Sequence, residues 1–74
     1  MNKERRKELK NTAIRLELIK DEIERIKGDE EYYYDNIPEN LQNSLRADES
    51  EEIIDELEEL LDSLSDIIDN LNNF

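Results

Sequence analysis

The chain of 74 residues has no cysteine and no histidine, and only one glycine and one proline. Without cysteine no disulfide can staple a small fold, and without either residue the usual zinc ligand sets are missing. Nucleophilic triads lose their ordinary base, and the Glu-x-x-His pattern of carboxylate-bridged metal sites in helical bundles cannot occur. Gly28 stands alone, so there is no glycine-rich phosphate loop. One glycine and one proline leave little room for strands or tight turns. The basic start, Met1 to Lys10, is followed by no apolar run. Neither a signal peptide nor a membrane span is therefore expected, and a cytosolic location is. No enzyme, cofactor or specific metal site is expected. Glu52, Asp55 and Glu59 offer loose ligands for Ca2+ or Mg2+ but lack the fixed loop of an EF-hand.

What the chain does have is charge, arranged around helical stripes. Charged residues are 43% of the total against 35% apolar, a balance close to that of disordered segments. The apolar residues, however, are confined to a helical period. Ile53, Leu57, Leu60, Leu64, Ile67, Leu71 and Phe74 step by four and three, and Ile54, Leu61 and Ile68 form a second row one position on. Every other position from Glu51 to Asn73 is Asp, Glu, Ser or Asn, with no positive charge. This is an amphipathic helix with a broad apolar face and an acidic back. Upstream, Leu9, Thr12, Leu16, Ile19, Ile23 and Ile26 keep a heptad register, and its continuation puts Tyr33 in the core.

These patterns predict an all-α fold, an antiparallel helical hairpin in a single domain. Helix 1 is expected over about residues 3–34, running through Gly28, with Asn2 as a candidate cap. A hinge follows over about 35–45, where Pro38 forces Ile37 out of the helical region and Pro38 to Leu41 suits a brief helical turn. Leu41 and Leu45 are expected to close the end of the core. Helix 2 is expected over about 46–73, capped by Asp48 with Glu51, or by Ser50. Matched lengths and a short hinge favour antiparallel packing. Charge agrees: residues 1–27 hold nine Lys/Arg against six Asp/Glu, while residues 39–74 hold twelve Asp/Glu against Arg46. The hairpin is expected to bring Lys3, Arg5, Arg6, Lys7 and Lys10 beside Asp62, Asp66 and Asp69. So small a chain rarely buries enough surface alone, and self-association into a dimeric four-helix bundle is expected. Ile14 and Leu18, on the face turned from the seam, together with Ile54, Leu61 and Ile68, are the expected oligomer contacts.

The candidate partner surface is a ridge of Glu52, Asp55, Glu59, Asp62, Asp66 and Asp69, with successive carboxylates rising about 5 Å. A one-signed file at that pitch suits a Lys/Arg-lined groove that normally holds nucleic acid. A solubilising face would instead mix signs. Direct duplex binding by Arg5, Arg6, Lys7, Lys10 and Arg15 is not expected, because Glu4 and Glu8 dilute them. A small anionic nucleotide held by Arg5, Arg6, Lys10 and Tyr34 at a protomer boundary is one alternative. A structural bundle with no separate ligand is another. Tyr32 and Tyr34 form a candidate aromatic tip, since three consecutive tyrosines cannot all face one core.

The segment Glu30-Glu31-Tyr32-Tyr33-Tyr34-Asp35-Asn36-Ile37-Pro38-Glu39-Asn40-Leu41-Gln42-Asn43-Ser44, between charged Leu/Ile helices, resembles small uncharacterised acidic proteins of bacterial phages, prophages and mobile elements. The resemblance covers most of the chain but is specific only in this centre. Gly28 and Leu45-Arg46-Ala47 depart from it. It transfers no catalytic residue; it implies a setting in which a small acidic protein binds a basic host enzyme or defence protein.

Overall fold

The computed structural model describes residues 1–42 and 44–74; Asn43 of the expected hinge lies outside the described residues. Two helices, α1 (Lys3–Asp35) and α2 (Leu45–Asn72), flank a single 3₁₀ turn at Glu39–Leu41. They pack as an antiparallel hairpin, a rod whose Cα atoms span 60 × 15 × 12 Å. Among the described residues no helix is long and apolar enough to cross a membrane.

The ends of the helices follow local chemistry. Asn2 Oδ1 accepts the Arg5 N–H at 2.8 Å, so Asn2 does cap α1. At the other end Asn36 closes the helix: its side-chain Nδ2 donates to the Tyr32 carbonyl at 2.7 Å and its backbone N–H to Tyr32 and Tyr33. The break is then completed by Pro38, whose ring pushes Ile37 out of helical geometry. Helix 2 starts earlier than Asp48 or Ser50 would start it. Ser44 is its cap, with Oγ accepting the Ala47 N–H at 3.3 Å, and both expected caps lie inside the helix. Leu45 opens α2 three-quarters exposed, so it does not close the core.

The seam is formed by Leu9, Ala13, Leu16, Lys20, Ile23, Lys27, Glu30 and Tyr34 of α1. From α2 it takes Ala47, Ser50, Ile54, Leu57, Leu61, Leu64, Ile68 and Leu71. All sixteen are buried or half-buried. Both helices are therefore rotated by one column from the expected register. Ile19, Ile26 and Tyr33 are 47%, 45% and 42% exposed. Their expected core places go to Lys20, Lys27 and Tyr34. Ile54, Leu61 and Ile68, expected as outer contacts, are instead seam residues, with Leu61 and Ile68 nearly sealed.

Two paired helices can offer each other only two columns apiece. Leu9, Leu16 and Ile23 serve either register, so the choice lies in the second column. Ala13, Ala47 and Ser50, each 2% exposed or less, are small enough to let the backbones approach. Lysine stems cover apolar surface while their ammonium groups reach outward, which makes Lys20 and Lys27 tolerable seam residues. Ser50 Oγ donates to Glu30 Oε1 at 2.7 Å, so this polar layer near the hinge is satisfied.

Gly28 sits mid-helix with no positive φ, and a Cβ added there would meet nothing within 4 Å. Gly28→Ala should raise stability by about 1 kcal/mol through helix propensity alone. Urea unfolding followed by circular dichroism measures this; a lower midpoint would mean that α1 does not run unbroken through residue 28.

Candidate interaction surfaces

The hairpin has two unlike long sides. On the first, Lys20, Glu24, Lys27 and Glu31 of α1 share an open groove with Glu58, Asp62 and Ser65 of α2. Lys27 is its centre: Nζ donates to Glu58 Oε1 at 3.2 Å and pairs with Glu31 at 3.3 Å. These carboxylates, the Glu58 hydrogen bond first, hold the Lys27 ammonium above the ordinary lysine pKa. Among the described residues Lys27–Glu58 is the one ion pair between helices.

The second side is apolar. At the hinge Tyr33, Ile37, Pro38, Leu41, Ser44 and Arg46 line one cavity of about 180 Å³. Tyr33 and Arg46 each head a column that repeats every seven residues. Down α1 it runs through Ile26, Ile19 and Thr12; down α2 it runs through Ile53, Leu60, Ile67 and Phe74. Because the two columns share a cavity at the hinge, they descend the same side of the rod. The four α2 members are 46%, 54%, 50% and 58% exposed. This stripe is the surface that sequence reading missed. Its signal was present as strict seven-residue repeats in both helices, but a repeat alone does not say which column turns outward.

All six ridge residues, Glu52, Asp55, Glu59, Asp62, Asp66 and Asp69, are exposed on α2, and Asp62 also borders the groove of Lys20 and Lys27. None has an ion-pair partner within 4.0 Å among the described residues. The expected pairing of Lys3, Arg5, Arg6, Lys7 and Lys10 with Asp62, Asp66 and Asp69 does not form. The reason is mainly axial. Lys27 of α1 meets Glu58 of α2 in the antiparallel pair, so Asp62 borders the groove of Lys20 and Lys27 and lies well short of Lys3 to Lys10, which are nearer the free end of the rod.

The remaining candidates separate. Ile14 and Leu18 are exposed at 62% and 66%, but on the back of α1, apart from the apolar stripe. Tyr32 is 74% exposed, whereas Tyr34 is half-buried in the seam, so the two do not form a joint tip. Tyr34 also lies about 36 Å along α1 from Lys10, so Arg5, Arg6, Lys10 and Tyr34 do not converge within one chain. Among the described residues no group of three carboxylates is placed to hold a metal ion.

No known family model, curated protein or solved structure matches this chain.

The Lys27 ion pair carries a pH signature. A raised lysine pKa stabilises the fold fully below the unfolded value of about 10.4 and loses that contribution as pH climbs through the higher folded value. Lys27→Met should melt below the parent chain at pH 7, and the gap should narrow well above pH 10.4. Melting curves by circular dichroism at stepped pH test this. An unchanging gap would assign Lys27's role to its stem rather than its charge.

Proposed function

We propose that this chain is a non-enzymatic interaction module that pairs with itself into a four-helix bundle and presents an anionic ridge to a basic partner. The observation that carries this is the α2 ridge: six exposed carboxylates in one file, none in an ion pair among the described residues. Ordinary solvated faces pair their charges at i, i+4, as α1 does with Lys20–Glu24 and Arg25–Asp29. α2 has one cation, Arg46, against eleven acids. Keeping so many like charges adjacent costs stability through repulsion, and a partner lined with Lys and Arg offsets that cost on binding.

The partner class is a protein whose groove normally grips a nucleic-acid backbone, since a line of charges about 5 Å apart competes for the same cations. A bacterial mobile-element setting, with a host enzyme or defence protein as target, fits the central Tyr-rich and Asn-Ile-Pro segment. Self-association is supported by the thin core: among the described residues only Ala13, Ala47, Leu61 and Ile68 are buried apolar residues.

Immobilised protein incubated with bacterial lysate should retain basic nucleic-acid-binding proteins, and added duplex DNA should release them. The triple variant Glu59→Lys, Asp62→Lys, Asp66→Lys should retain its helicity yet lose this capture by tenfold or more. Undiminished capture by the variant, or retention that DNA does not reverse, would remove the mimicry reading. Light scattering should give about twice the 8.9 kDa chain mass.

A further inference from the structure

We infer that a second copy covers the apolar side of the hairpin with its hinge at the opposite end of the rod. The inference rests on the self-association proposed above and adds the face and the direction. Ile19, Ile26 and Tyr33 together with Ile53, Leu60 and Ile67 form a continuous exposed stripe, and among the described residues no element covers it. The molecule exposes 5987 Å², against about 4,800 Å² for a compact monomer of this mass. The excess, about 1,200 Å², exceeds the roughly 800 Å² that each partner commits to a standard interface. One long side of a rod 60 Å by 15 Å is large enough to supply that area. Chemistry also excludes the other long side, where Lys27, Glu31 and Glu58 would be buried.

A two-fold dimer can bring these sides together in two ways, with the hinges at the same end or at opposite ends. Charge separates them. Residues 20–58, the hinge half of the rod, carry fifteen acids against Lys20, Arg25, Lys27 and Arg46, a net −11. The remaining half is nearly neutral, at −1. Hinges at the same end would stack −11 on −11 within about a Debye length. Opposite ends place each acidic half against a neutral one. The basic segment Lys3 to Lys10, unpaired in the single hairpin, then meets the partner's acidic hinge half.

The rim gives a second, finer reason. Beside the apolar column of α2 runs Glu49, Glu56, Ser63 and Asn70, acidic toward the hinge and uncharged away from it. Reversing one copy sets each Glu beside Ser or Asn; the same-end arrangement instead turns Glu49 and Glu56 toward Asp29 and Glu22 of α1. Both effects weaken with salt, so direction should be sharpest at low ionic strength.

The absence of cysteine makes labelling unambiguous. Spin labels on Asn40→Cys should lie near the rod length apart in the dimer, about 60 Å. A mixture of Asn40→Cys and Asn11→Cys copies should show a distinctly shorter distance. A short Asn40–Asn40 distance would overturn the direction while leaving self-association intact. A monomeric mass by light scattering would overturn both. Leu60→Lys with Ile67→Lys should halve the mass, and Ile14→Lys with Leu18→Lys should leave it unchanged. The opposite pattern would overturn the face.

Discussion

A pair of helices can cover only two columns of each other, and everything else in this protein follows from that limit. Both helices have a third apolar or aromatic-containing column: Thr12, Ile19, Ile26 and Tyr33 in α1, and Ile53, Leu60, Ile67 and Phe74 in α2. The hairpin could hide these and expose Leu61 and Ile68 instead. It does the reverse, admitting Lys20 and Lys27 to the seam so that the unused columns lie side by side. Scattered exposure of the same residues would be ordinary. Gathered on one side, they form a single exposed apolar stripe.

The polar residues of the seam fit the same geometry. Lys27 reaches out of the seam to Glu31 and Glu58, and Ser50 meets Glu30, so the polar groups at these layers have partners. Small side chains at Ala13, Ala47 and Ser50 allow the close approach that makes the lysine stems effective cover. One long side thus becomes charged and closed by ion pairing, while the other stays apolar. The carboxylate ridge is a third surface, exposed along α2, and among the described residues none of its members forms an ion pair. Charge and apolar area are thereby assigned to different faces.

Charge along the rod adds a direction to these faces. The acidic excess gathers at the hinge because α1 ends acidic and α2 begins acidic, and an antiparallel turn brings those ends together. Neither helix complements its own dipole at its C-terminal end, since the last turns have no basic residue.

Residue order alone sufficed for the two helices, the antiparallel hairpin, the cap at Asn2, the uninterrupted passage through Gly28 and the break at Pro38. Each depends on local propensity or on a period that repeats many times. The start of α2 was legible to within a residue, but its cap was misassigned because Ser44, Asp48 and Ser50 are all competent caps, and only the packed hairpin uses Ser44 while drawing Ser50 into the seam. The outward faces were misplaced for a related reason. A three-column stripe is symmetric about its centre, so its period says how wide the apolar face is but not which edge stays open. That edge depends on the size of Ala13, Ala47 and Ser50 and on the reach of Lys20 and Lys27, which act only when the two helices are in contact. Exposure of the carboxylate ridge was readable from its spacing; its lack of ion pairs was not, because partners across a hairpin are set by how the two helices align along the rod.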